Sequence, residues 1–196
     1  MLPRILCLVD ATDDLSLLPA LADVGVTGFQ VRAKALTGRE LMVLTDRVLT
    51  GLASYDVTVV VNDRLDVALA AGADGVHLGR GDLDVAAARR IAPDLIIGGT
   101  CRNRADVERA AADGADYVGF GPVFATTSKT GLPAPLGPDA VTAAAGVLPL
   151  IAIGGIDAAN APEVIAAGAH GVAVIGAVWR DPDPVSAAKD LVTAVG

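Results

Sequence analysis

Eight short apolar runs alternate with alanine-rich stretches from end to end, and this alternation narrows the fold more than any other feature of the chain. The runs at 5–10, 28–33, 58–63, 74–79, 95–100, 117–123, 149–154 and 171–176 read as strands. Helical patterning covers 15–24, 37–53, 64–71, 84–91, 104–113, 138–145, 160–167 and 184–195. Strands this short, separated by helices of this length, predict repeated βα units. Eight such units close into a TIM barrel, so the expectation is one (β/α)8 barrel domain over residues 1–196, with its active site at the C-terminal strand ends. An open doubly wound sheet is the alternative. No Gly-x-Gly-x-x-Gly follows the first run, which argues against a dinucleotide fold.

An internal echo supports eight units. Ala71-Gly-Ala-Asp-Gly-Val-His-Leu-Gly79 resembles Ala112-Asp-Gly-Ala-Asp-Tyr-Val-Gly-Phe-Gly121 and Ala167-Gly-Ala-His-Gly-Val-Ala-Val-Ile-Gly176. A weaker copy begins at Asp23. In each, a glycine closes a helix, a tight turn follows, and a strand begins. The copies precede strands two, four, six and eight.

The chain is 53% hydrophobic but only 3% aromatic, as expected of Val/Ile strands under Ala/Leu helices. Its net charge of -8 argues against nucleic acid or an anionic membrane as a partner. Small molecules are the expected partners, and homo-oligomerisation stays open. Cys7 and Cys101, the only cysteines, have no metal-ligand spacing and read as reduced thiols. The N-terminal residues lack a signal-peptide layout and no run is long enough for a membrane helix, so the expected location is the cytoplasm.

Two acids stand at corresponding places in successive units. Asp63 ends the third run, and Asp82 follows the fourth. On neighbouring parallel strands both carboxylates would enter one mouth, where hard oxygen ligands suit Mg²⁺. Either could instead cap the helix that follows it. Gln30, Arg32 and Lys34 alternate onto one side of the second strand end. There an Arg fork and a Lys point charge could grip a diphosphate, or simply be solvated. Beyond the sixth strand, Thr126-Thr127-Ser128-Lys129 forms a hydroxyl-rich cationic loop suited to anion binding. Gly98-Gly99-Thr100 reads as a small-residue turn carrying a hydroxyl. Gly154-Gly155 and Gly176 follow strands seven and eight, where barrels commonly bind phosphate through backbone N–H groups.

Histidine is scarce. His77 reads as packed or hydrogen-bonded inside the barrel and His170 as a turn residue, so a Ser-His-Asp triad and a His-rich zinc site are not expected. Tyr117 and Trp179 read as packing residues, and the acidic stretch Asp106–Glu108 as solvated surface.

The ordered set Gln30-x-Arg32-x-Lys34, Asn62-Asp63-Arg64, Gly72–Gly79 with Asp82, Ala115–Phe124, Thr126-x-Ser128-Lys129 and Ile153-Gly-Gly-Ile156 resembles the thiamine phosphate synthase family. The resemblance runs from Gly28 to Ala177 and implies a (β/α)8 barrel enzyme. The implied reaction joins an aminopyrimidine-methyl diphosphate to a thiazole or carboxythiazole phosphate, giving thiamine phosphate and diphosphate. It implies that Gln30, Arg32, Lys34, Asn62, Thr100 and Lys129 hold the pyrimidine diphosphate, with Val31 and Ala33 in the same binding segment. Asp63 and Asp82 would bind Mg²⁺. Thr126, Thr127 and Ser128 would face the thiazole, and Gly155, Ile175 and Gly176 its phosphate. Arg32, Lys34, Thr100 and Lys129 would be catalytic.

The chain departs from the family pattern at Ala33 (usually Glu), Arg80 (usually Gln), Thr100 (usually Ser) and Gly176 (commonly Ser). Cys101-Arg102-Asn103 replaces a segment that commonly carries His. Two other readings share the barrel. One is an isomerase resembling the thiazole tautomerase relatives, expected to use a His in the loop after strand five. The other is a non-catalytic phosphate-ligand binder, which would not need two convergent carboxylates.

Overall fold

The computed structural model describes residues 1–126 and 133–196. Eight parallel strands close into a barrel in strict chain order: β1 (Ile5–Val9), β2 (Gly28–Val31), β3 (Thr58–Asn62), β4 (Gly75–Leu78), β5 (Ile96–Cys101), β6 (Tyr117–Phe120), β7 (Leu150–Ile153) and β8 (Gly171–Val174). β1 pairs with both β2 and β8, so no edge is left open. The main helices are α1 (Leu18–Asp23), α2 (Gly38–Gly51), α3 (Leu65–Ala71), α4 (Val85–Ile91), α5 (Arg104–Ala112), α6 (Pro138–Ala144), α7 (Ala161–Ala166), α8 (Gly176–Trp179) and α9 (Pro184–Val195).

Local chemistry sets several helix starts. Thr37 and Glu40 form a reciprocal capping box at α2. Asp84 caps α4 by accepting from the Ala87 N–H, and Asp183 caps α9 by accepting from Ser186. The echo glycines Gly25, Gly72, Gly114 and Gly168 all take positive φ, the left-handed turn that lets each helix feed the next strand. Most expected strands run one to three residues too long: β2 stops at Val31 and not 33, and β6 at Phe120 and not 123. β8 stops at Val174, and Gly176 opens the short α8, whose four residues are too few to show a helical period.

Strand alternation divides the apolar residues into two sets. The larger fills the space between strands and helices around Phe29, Val31, Val61, Val76, Ile97, Val118 and Phe120. Fully burying each of its large side chains is worth about 1.5–3 kcal/mol. The smaller plugs the barrel itself with Leu6, Leu8, Val60, Tyr117, Ile151 and Ala173. Cys7 and Cys101 are buried free thiols. No helix among the described residues is long and apolar enough to cross a membrane.

Candidate active site

A cavity of about 730 Å³ opens at the C-terminal ends of the strands, above the small inner cluster. Gln30, Arg32 and Lys34 line it, as strand alternation predicts. Val31 and Ala33 do not. Alternation turns their side chains outward into the core between β2 and its helices, so only their backbone is left to meet a ligand. Asn62, Asp63, Asp82, Thr100, Thr126, Gly155, Ile175 and Gly176 also line the cavity. Thr127, Ser128 and Lys129 lie outside the described residues.

Neither acid is a helix cap. The N-cap of α3 is Arg64, and that of α4 is Asp84. Asp63 instead takes a φ of 65°, a left-handed conformation uncommon for a residue with a side chain. Its backbone N–H donates to the His77 carbonyl at 2.8 Å, which ties the end of β3 to β4. Its carboxylate pairs with Lys34 Nζ at 2.8 Å. The Asp82 carboxylate closes the turn after β4 by accepting from the Gly79 N–H at 2.8 Å. The two acids meet over Gly79, where a Cβ would lie 2.6 Å from Asp82 Oδ2 and 3.7 Å from Asp63 Oδ1.

This proximity splits their proton affinities. Burial, then the hydrogen bond and charge of Asp63, hold the Asp82 carboxyl above the usual carboxylate range. Burial also pushes Asp63 up. The contacts with Lys34 and Asp82 and the charges of Lys34 and Arg32 outweigh it and leave Asp63 below that range. Two facing oxygen donors fit a divalent ion completed by phosphate and water oxygens. No group of three or more acidic, His or Cys ligands exists among the described residues, so the protein alone does not form a closed cage.

The floor of the cavity is more polar than the sequence suggested. Gly98, Gly99 and Thr100 are not a turn but part of β5. A Cβ at Gly98 would overlap the Tyr117 ring, and one at Gly119 would lie 2.8 Å from His77 Cε1. These two glycines therefore make room for a histidine and a tyrosine inside the barrel. His77 Nδ1 stands 3.2 Å from the Tyr117 hydroxyl, and Nε2 stands 3.0 Å from Thr100 Oγ1. Burial, partly offset by Asp63, pulls His77 down to about 4. Tyr117 is thus a polar participant and not only packing. Its strand pattern alone could not distinguish the two. Trp179 does pack, and its indole Nε1 donates to the Leu8 carbonyl at 2.6 Å.

Arg102 lies at the rim and also lines the cavity. One of its terminal nitrogens donates to the Ala134 carbonyl at 2.8 Å, while its buried Nε has no hydrogen-bond partner among the described residues. Asp106, expected to be plain surface, accepts from the Arg102 backbone N–H at 3.1 Å.

A family model described as thiamine monophosphate synthase (TMP-TENI) matches residues 4–178. The chain belongs to that family. It is 48% identical to the thiamine-phosphate synthase of Chlorobium phaeovibrioides over 86% of this chain and 82% of that protein. It is 46% identical over 96% of its length to the thiamine biosynthesis bifunctional protein ThiM/ThiE of Symbiobacterium thermophilum, of which it spans 40%. Among solved structures, a thiamine phosphate pyrophosphorylase from Pyrococcus furiosus superposes with a TM-score of 0.88 at 33% identity, covering 98% of this chain and 95% of that one.

Three residues that the sequence reading set apart, Arg80, Thr100 and Arg102, share one side of the mouth. Arg80, Thr100 and Arg102 all line the cavity beside Asp82 or at the end of β5. Thr100 keeps the hydroxyl of the usual Ser. Arg80 and Arg102 add positive charge to this side of the cavity.

Proposed function

We propose that the chain is a thiamine-phosphate synthase working as a single barrel domain in the cytoplasm. It would join an aminopyrimidine-methyl diphosphate to a thiazole phosphate and release diphosphate. The observation that carries this reading is the pairing of Asp63 and Asp82 beside Arg32 and Lys34 in one mouth. A phosphate binder has no use for two facing carboxylates, whereas a metal–diphosphate ligand needs both signs of charge.

Asp63 and Asp82 would hold Mg²⁺, which when bound supplies positive charge against the diphosphate oxygens. Arg32 and Lys34 supply further charge there, joined by Lys129 from the loop after β6. Gln30 and Asn62, buried on the cavity floor, would orient the pyrimidine. Thr100 would donate to the diphosphate or the ring. As the C–O bond breaks, the diphosphate keeps the bonding pair, and fixed cations lower the cost of the charge that grows on it. The pyrimidine-methyl cation left behind is stabilised by its ring amino group. The thiazole nitrogen lone pair then closes the C–N bond. No proton changes hands, so no strong base is required.

Thr126, Thr127 and Ser128 would hold the thiazole substrate close to that cation. Its phosphate would meet the backbone at Gly155, Ile175 and Gly176. An isomerase reading would need a base in the loop after β5. Arg102 there is bound to the Ala134 carbonyl and is permanently protonated, so it serves poorly in that role.

The test is product analysis with purified protein, Mg²⁺ and both substrates. Thiamine phosphate should form only when both are present. Rearrangement of the thiazole phosphate alone would establish the isomerase. No turnover of either substrate, despite binding, would leave a phosphate-ligand binder.

A further inference from the structure

The charges lining the mouth do not balance. Arg32, Lys34, Arg80 and Arg102 accompany Asp63 and Asp82, so four cations meet two carboxylates among the described residues. Arg32 and Lys34 alone would leave this lining neutral. In a chain of net charge -8, the positive excess of the lining therefore rests on Arg80 and Arg102. No described carboxylate forms an ion pair with either guanidinium. Residues 127–132 contain no acid that could supply one. Arg102 is also held in place. Its backbone N–H donates to Asp106 at 3.1 Å, and a terminal nitrogen donates to the Ala134 carbonyl at 2.8 Å. The other Asp106 oxygen faces Arg109, 4.0 Å away. Arg102 Nε is buried, and no described group accepts from it. A half-buried guanidinium with an open donor and no counter-charge is costly alone and favourable beside an anion.

We propose that Arg80 and Arg102 form a second anion clamp, which takes the terminal phosphate of the pyrimidine diphosphate. The identity of that anion rests on the synthase reading. Barrel order gives the clamp its place. Arg32 and Lys34 follow β2, Asp63 follows β3, Arg80 and Asp82 follow β4, and Arg102 follows β5. The acid pair is thus flanked by cations on both sides. A diphosphate has two charged ends, one for Arg32 and Lys34 and one for Arg80 and Arg102. A monophosphate has only one. Arg102 stands two residues beyond Thr100 on the cavity side of β5, while Cys101 between them faces the core. The Thr100 hydroxyl and the Arg102 fork therefore approach the same anion. Gly155 and Gly176, assigned above to the thiazole phosphate, follow β7 and β8, the strands across the barrel from β3 and β4. The clamp serves the diphosphate and not the second substrate.

Inorganic diphosphate, titrated calorimetrically at saturating Mg²⁺, tests the clamp without turnover. Arg80→Gln and Arg102→Gln should each weaken its binding by about tenfold or more, the scale of a charge-assisted hydrogen bond. Arg102→Lys keeps the charge but loses the fork, and should fall between the parent and Arg102→Gln. Arg90→Gln removes a cation from the exposed end of α4, outside the cavity, and should leave diphosphate binding unchanged. In steady-state kinetics, Arg80→Gln should raise KM for the pyrimidine diphosphate and leave KM for the thiazole phosphate as it is. Parent-like diphosphate affinity in Arg80→Gln, or an equal loss in Arg90→Gln, overturns the clamp. So does an equal rise in both KM values, or a rise confined to the thiazole phosphate. The Arg80 side chain has no described hydrogen bond or ion pair to lose, so Arg80→Gln should melt with the parent. It decides the point even where loss of the Ala134 tether unsettles Arg102→Gln. A parent that makes no thiamine phosphate would end the synthase reading, while the diphosphate titrations would still decide the clamp.

Discussion

Lys34 Nζ sits 2.8 Å from Asp63 Oδ2, so the cation best placed to meet a diphosphate is held by the acid best placed to hold a metal. The Lys34 side chain is half exposed and that of Asp63 mostly covered, which makes Lys34 the mobile partner. A diphosphate entering with its cation gives both residues new partners of opposite charge. Lys34→Ala should therefore lower kcat by about 10²- to 10³-fold, as loss of a charge-stabilising group in a closed site typically does. Lys34→Arg should recover part of the loss. Steady-state kinetics on the two variants checks this, and near-normal kcat in Lys34→Ala would contradict it.

Replacing either acid should remove turnover without unfolding the barrel. Neither Asp63 nor Asp82 caps a helix, so no cap energy is lost. Asparagine is the substitution of choice at 63, because the φ of 65° is one that Asn tolerates and Ala does not. Asp63→Asn and Asp82→Asn should each reduce kcat by at least about 10²-fold. Melting temperatures should stay within a few degrees of the parent, about the shift expected for a 1 kcal/mol change. Activity and thermal melts on the same preparations decide the point.

Metal affinity should fall in acid. Asp82 is held above the usual carboxylate range by burial and by Asp63, so it takes up a proton more readily than an ordinary carboxylate. A divalent cation must displace that proton. Apparent Mg²⁺ affinity should therefore weaken as pH falls through the raised Asp82 value and level off above it. Magnesium titrations at a series of pH values would show this, and a flat profile would mean that the two acids do not share the ion.

His77 should make folding stability pH-dependent in a separate window. Burial holds it at about 4 in the fold against 6.5 for the free side chain. Between those values the unfolded chain binds more protons, so stability falls as pH drops from 6.5 toward 4. The loss from this group is at most about 3 kcal/mol. Denaturant midpoints of His77→Gln should be flatter across that window than those of the parent. Parallel curves would contradict the neutral, enclosed ring.

The barrel was legible because its signals are local and repeated. Alternating apolar runs, and the echo with its helix-closing Gly25, Gly72, Gly114 and Gly168, carry strand count and order without any long-range information. The mouth residues Gln30, Arg32 and Lys34 followed from strand alternation. The His77–Tyr117 pair did not, because a hydrogen bond between residues forty positions apart depends on barrel register. Gly98 looked like a turn for the same reason. Its role is to clear space for a ring on the neighbouring strand, which a single strand cannot reveal. The cap reading of Asp63 and Asp82 could be rejected only once Arg64 and Asp84 were seen at the helix starts.

The central claim is that Asp63 and Asp82 hold one Mg²⁺ against a diphosphate gripped by Arg32 and Lys34. Calorimetric titration with inorganic diphosphate, with and without Mg²⁺, tests it without any chemistry taking place. The parent protein should bind diphosphate at least about tenfold more tightly with Mg²⁺, a coupling of about 1.4 kcal/mol. Asp63→Asn and Asp82→Asn should each abolish that difference. Equal diphosphate affinity with and without Mg²⁺ in the parent, or a full metal effect in either variant, would contradict the account.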